Sequence, residues 1–224
     1  MRKPERDYRK LRLNNINTPE FSHLKLLLGW VGYFVLFVLT ENLIPEEQCY
    51  PVHCALDDVI PFNEYFLIAY TFWYVLIVGS LLYFLLYNVE NFKNLQTYII
   101  VTQVIAMACY ILFPTRQDLR PTEFPRDNFW TDVAQLLYSV DTNTGVCPSL
   151  HVGYSLGIAS TWLREKSVRW PVKAFVCVAV FFICISVAFV KQHSVVDIFA
   201  AIPMCLFAEW FVFFRKKTPA KPER

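Results

Sequence analysis

The chain has 224 residues, of which 55% are hydrophobic and 17% aromatic, while only 18% are charged. A water-soluble domain of this length normally carries more charge, and a net charge of +2 offers no basic excess of the kind that grips nucleic acid. The composition points to a chain dissolved in lipid.

In chain order, residues 1–23 read as a basic tail carrying Arg2, Lys3, Arg6, Arg9, Lys10 and Arg12. Apolar runs follow at 24–44, 66–87, 96–113, 172–190 and 194–214. Each nears or exceeds the ~18–20 residues that cross a hydrocarbon core. The run at 149–163 is shorter, and its Gly153 and Gly157, with Ser155 and Ser160 nearby, allow close helix approach. It is expected to be a sixth span buried among the others. The first run is too long and too far in to be a cleavable signal peptide. The expected fold is therefore all-α: a polytopic membrane protein with one six-transmembrane-helix domain over 24–214 and basic tails at 1–23 and 215–224.

All but four of the 21 Lys and Arg residues fall in the tails, at Lys25 where the first span begins, at Lys93, or in the connection holding Arg164, Lys166, Arg169 and Lys173. The positive-inside bias then puts both termini in the cytoplasm, where the tails meet membrane lipids. The four exceptions, Arg116, Arg120, Arg126 and Lys191, lie on the outer side and need a reason. Phosphate binding supplies one.

The outer loop at 45–64 is acidic, with Glu46, Glu47, Asp57, Asp58 and Glu64. Cys49 and Cys54 share this loop, and the sequence leaves open whether they form a disulfide. Cys109, Cys177, Cys184 and Cys205 fall in spans as packing residues, and Cys147 has no assigned role. The cysteine spacing does not match a zinc site. In the long connection at 114–146, Asp127 is the expected cap of a helix carrying Phe129, Trp130, Val133, Leu136, Leu137 and Val140 at helical spacing. That stripe predicts a short interfacial helix between spans 3 and 4.

Two short stretches at the outer ends of spans carry chemistry. In Cys147-Pro148-Ser149-Leu150-His151, Pro148 suits the first helical position. Ser149 and His151 then fall in the first turn, where free amides and the helix dipole attract an anion. In Lys191-Gln192-His193-Ser194-Val195-Val196-Asp197, His193 and Asp197 are four apart and share a helix face. A carboxylate at that depth needs a partner or a cavity. Bonded to one ring nitrogen, Asp197 would leave the other as a nucleophile.

Pro-Ser-x-His followed by His-x-x-x-Asp at the start of a last span resembles the type 2 phosphatidic acid phosphatase superfamily, whose core is shared with vanadium haloperoxidases. Its signatures read Lys-x6-Arg-Pro, Pro-Ser-Gly-His and Ser-Arg-x5-His-x3-Asp. The resemblance implies His193 as nucleophile, Asp197 as its orienting partner, and His151 as the acid that protonates the leaving oxygen. Ser149 and Arg120 would be phosphate ligands. Three departures stand out: Phe113 replaces the first lysine, Val187 the arginine after Ser186, and Leu150 the glycine. Arg116 and Lys191, each about one helical turn away, are the expected substitutes.

The expected activity is a metal-independent lipid phosphatase, acting on a lipid phosphate or pyrophosphate through a phosphohistidine at the outer interface and needing no cofactor. One alternative keeps the chemistry but passes the head group to a lipid alcohol, as inositolphosphoceramide-synthase-like transferases do. Another is a non-catalytic lipid- or anion-binding relative, or a transporter.

Overall fold

The computed structural model describes residues 3–215; Arg2, Lys216, Lys217, Lys221 and Arg224 of the two tails lie outside them. The chain is nearly all helix. In order come α1 (Leu28–Leu43), α2 (Ala55–Val59), α3 (Leu67–Tyr87), α4 (Val89–Leu112), α5 (Phe129–Val140), α6 (Leu150–Arg164), α7 (Trp170–Phe189) and α8 (Val195–Glu209). Five stretches are long and apolar enough to cross a membrane: Ser22–Leu43, Glu64–Tyr87, Val89–Leu112, Trp170–Phe189 and Val195–Phe214. They coincide with the five long apolar runs of the sequence.

Helix α6 has 15 residues, short of a full span, and packs against α3, α4, α7 and α8. Its small residues make this central place workable. A methyl group added at Gly157 would sit 2.4 Å from the Tyr98 ring of α4, and one at Gly153 would sit 3.0 Å from Met204 of α8. Lipid tails are as apolar as leucine, so helices in a bilayer associate through such close fits and through interhelical hydrogen bonds. Tyr98 supplies both, since its hydroxyl also donates to the Cys205 carbonyl at 3.3 Å.

Backbone and side-chain bonds collect the connections at two opposite ends of the bundle. At one end, the Ser149 amide donates to the Asp197 carbonyl, the Asn63 amide to the Phe189 carbonyl, and the Tyr110 hydroxyl to the Pro148 carbonyl. A two-residue parallel pairing of β1 (Tyr50–Pro51) with β2 (Thr115–Arg116), absent from the sequence expectation, ties the two long loops together there. At the other end, buried Glu165 accepts from Asn88 and Asn91. Glu209 is paired with Arg164 and Ser160.

Two local expectations shift. The N-cap of α5 is Asn128, not Asp127: its side chain accepts from the amides of Trp130 and Thr131 at 2.9 and 3.2 Å. The N-cap of α6 is Ser149 itself, which puts Pro148 before the helix instead of at its first position. The N-terminal segment is attached to the bundle. Glu5 bonds the backbone at Leu86 and Val89, and the Tyr8 hydroxyl bridges His23 and the Leu85 carbonyl.

Replacing Gly157 with Leu should destabilise the bundle by at least about 1–3 kcal/mol, because Tyr98 has no room to retreat from the added atoms. A lowered Tm of detergent-purified protein is the expected readout.

Candidate active site

The end where Ser149 meets Asp197 also holds the two histidines singled out by the sequence. Helix α7 stops at Phe189, and the chain reverses through Val190–Lys191–Gln192 so tightly that the amides of Gln192 and His193 both donate to the Val187 carbonyl, at 3.0 and 3.1 Å. Lys191 takes a left-handed conformation, φ 52°, which a side chain with a Cβ adopts at a cost of roughly 1–2 kcal/mol. Its ammonium group offsets that cost by donating to the carbonyls of Asp57 and Ile60 at 2.7 and 2.5 Å. Ser194 then caps α8, its hydroxyl accepting from the Val196 amide, while Asp197 reaches back to the Ser194 amide.

This reversal aims His193. Its Nδ1 lies 3.2 Å from Asp197 Oδ2, which leaves Nε2 as the nitrogen available for attack. Asp197 is fully buried and His193 8% exposed. Across from them, the His151 ring centroid is 5.6 Å from that of His193, with the planes at 66°. His151 is stacked on Tyr70 at 4.5 Å and tilted against Trp73 at 4.1 Å. Its Nε2 is buried without a hydrogen-bond partner. Two imidazoles, one oriented by a carboxylate and one held between aromatic rings, thus line the same cavity of about 620 Å³.

The predicted anion ligands are less uniformly placed. Arg120 borders the site through Gln192: its guanidinium donates to Gln192 Oε1 at 2.7 Å and to the carbonyls of Tyr138, Asp141 and Thr142. Ser149 is fully buried, and its amide is committed to Asp197. Arg116 is drawn toward Glu46 and Asp118, at 3.6 and 3.4 Å. Lys191 braces the 45–64 loop through the carbonyls of Asp57 and Ile60. None of the four expected phosphate ligands, Ser149, Arg116, Arg120 and Lys191, lines the cavity. Arg126 is also spoken for, making two bonds to buried Glu64.

Several residues that matter here were missed by sequence reasoning. Asp57, one acid among several in a polar loop, accepts from Ser194 Oγ, the Val195 amide and the Cys54 amide, at 2.6, 2.8 and 2.8 Å. It therefore caps α2 and clamps the start of α8 at once. The spacing of Cys54 and Asp57, that of a capping box, was the available signal. Asp141 lines the cavity beside His193 and accepts from Gln192 at 3.2 Å. Nothing local marks it, because it follows the last turn of α5. Tyr70 and Trp73 stand three apart on α3, hence on one face, but their partner His151 is distant in sequence.

Among the described residues, no cluster of His, Cys, Asp and Glu is arranged to hold a metal ion. All seven cysteines are free thiols, Cys49 and Cys54 included. The Cys147 thiol is pushed up to about 12 by burial and by the carboxylate of Asp197 beside it.

Two carboxylates give opposite pH signatures. Burial pushes Asp57 upward, but the bonds from Ser194 and from the Val195 and Cys54 amides outweigh it, so the group sits below its ordinary value. Its stabilisation is held above the usual carboxylate range near pH 4 and is lost as the pH falls through its own lower value. Asp57→Ala, which strands three donors, should remove about 3 kcal/mol or more at neutral pH. Asp141 is pushed up by burial, with Arg120 and His193 only partly opposing. Keeping it ionised burdens the fold as the pH rises past the usual carboxylate range. Asp141→Asn should therefore raise Tm at pH 7, and the gain should vanish near pH 4. Thermal scans across pH check both signs.

Comparison of the chain with protein-family models, with curated proteins and with solved structures finds no match.

Proposed function

We propose that the protein is a membrane-embedded lipid phosphatase of the type 2 phosphatidic acid phosphatase kind, cleaving a lipid phosphate or pyrophosphate through a phosphohistidine. The observation that carries this reading is the His193–Asp197 pair facing His151 across 5.6 Å, ring centre to ring centre, at the polar end of an otherwise apolar cavity.

In the first step His193 Nε2 attacks phosphorus, and the P–O bond to the lipid breaks. Asp197 steadies the positive charge that grows on the imidazole ring. His151 gives its proton to the departing alkoxide, so a neutral alcohol leaves. In the second step His151 takes a proton from water as the water oxygen attacks phosphorus. The P–N bond breaks, and phosphate and free His193 are restored. Acid–base help of this sort contributes roughly 10²–10⁴-fold. Arg120, already turned toward the site through Gln192, is the cation best placed to hold negative charge on the equatorial oxygens.

We read the bundle as six spans, with α6 the central, shortened one and both termini cytoplasmic. The basic residues flanking the end that holds Glu165 and Arg164 support this orientation. The site then opens at the outer, extracytoplasmic face, and α5 lies beside it along the interface with Phe129, Leu136 and Val140 exposed.

A second reading rests on the rim. Asp141, Gln192, Thr142 and Thr144 line the same mouth and offer acceptors for hydroxyl groups. That suits a transferase that gives the phosphoryl head group to an alcohol instead of to water. Free-phosphate release measured against head-group exchange on defined lipids separates the two.

With a panel of lipid phosphates and pyrophosphates, the purified protein should release phosphate. His193→Ala should abolish release, and His151→Ala should lower it by about 10²-fold or more. Acid-labile phosphate on the protein should disappear with His193. Full turnover by His193→Ala would overturn the assignment.

A further inference from the structure

The cavity that holds the histidines does not end near them. It continues as a groove between α1 and α3. Trp30, Phe34 and Phe37 line it from α1, and Ile77, Leu81 and Leu85 from α3. Along α3 it runs from Tyr70 to Leu85, about 22 Å at 1.5 Å per residue. One leaflet of hydrocarbon is about 15 Å deep, so the groove reaches past the bilayer midplane. Its far end is met by Leu27 and Phe92. Ionisable side chains line it only at the histidine end, if tyrosines are set aside: Asp141, His151 and His193.

The groove is also open along its side. Phe34, Val78 and Leu82 line it, yet are 55%, 64% and 51% exposed. In a bilayer that opening faces lipid tails. A volume of about 620 Å³ is in the range of ~300–1,000 Å³ that holds one small ligand.

We propose that this groove seats one hydrocarbon chain of the substrate, entering sideways between α1 and α3, and that the substrate is a single-chain lipid phosphate whose tail is longer than one leaflet is deep. The proposal rests on the phosphatase reading for the head group alone. The tail is argued from the length, apolar lining and side opening of the groove, and from its continuity with His193. Each methylene taken into the groove adds favourable burial until the floor at Leu27, Leu85 and Phe92 is reached. Selection by length follows from that floor.

The test uses the full chain in lipid nanodiscs, with alkyl phosphates of increasing length and a two-chain phosphatidate as probes. kcat/KM should climb with chain length, then level off, and the two-chain lipid should be poorer by about tenfold or more. Leu81→Phe should move the plateau to shorter chains and cut the preference for the longest over the middle chain by about tenfold. Val78→Phe, on the exposed edge, gives the same reading if Leu81→Phe does not fold. Turnover independent of length, or preference for the two-chain lipid, overturns the groove and leaves the phosphatase standing.

A binding arm needs no catalysis. In His193→Ala protein, an alkyl phosphate brominated deep in its chain should quench Trp30 fluorescence saturably. The quenching should be lost in the His193→Ala/Trp30→Phe double variant and competed by the unbrominated lipid. Saturable quenching in His193→Ala protein, together with no phosphate release by the unsubstituted protein, would retain the groove and sink the phosphatase. No saturable quenching would sink the groove.

Discussion

The carboxylate of Asp57 holds the start of α8, and the site depends on that hold. Inside lipid every amide without an intrahelical partner must find one, and a helix N-terminus exposes several. Asp57 answers the Val195 amide and the Ser194 hydroxyl from outside the helix, while Asp197 answers the Ser194 amide from within it. Lys191, one reversal earlier, fastens the same loop through the carbonyls of Asp57 and Ile60. His193 sits between these two fastenings. Its orientation is thus set by a loop more than 130 residues upstream, and not by its own helix alone.

This arrangement changes the account of Arg116, Arg120, Arg126 and Lys191. Charge counting alone suggests a niche crowded with positive side chains. Instead, Lys191 neutralises backbone dipoles, Arg126 pairs with Glu64, and Arg116 leans toward Glu46 and Asp118. Arg120 reaches the site only through Gln192, with burial pushing its guanidinium down from its usual range and Asp141 opposing that. The walls are aromatic: Tyr70 and Trp73 hold His151 between them. Such a site gains its electrostatic strength less from many cations than from a few fixed groups in a low-dielectric surround.

Much of this was legible in the chain, and the division follows physical range. The five long apolar runs became the five long helices because length and hydropathy act locally. His193 and Asp197 were readable as a pair because four residues on a helix bring side chains together whatever surrounds them. Gly153 and Gly157 announced close packing for the same reason. What escaped was set by distant partners. Asp57 looks like any loop acid until α8 arrives beside it. Nothing in 191–197 says that its lysine will turn toward carbonyls instead of an anion. The meeting of His151 with His193 was inferable only through resemblance, since the two lie on different helices, and the groove needs α1 and α3 side by side. Asn128, taking the capping role assigned to Asp127, is the smaller case of two adjacent residues competing for one helix end.

Helix α1 stands apart from the rest. None of its residues is buried, and it is attached along one side: Gly29 seated against Ile100, the Trp30 indole bonded to Gln96 of α4 and edge-on to Tyr154, and Glu41 accepting from Thr142 and Thr144. A helix held on one side by protein and on the other by acyl chains answers to both. Lateral pressure in the bilayer presses on it directly, and a thicker or thinner membrane tilts it. On the proposed reading, in which the groove beside α1 seats a lipid tail, access to the histidines follows the physical state of the surrounding lipid.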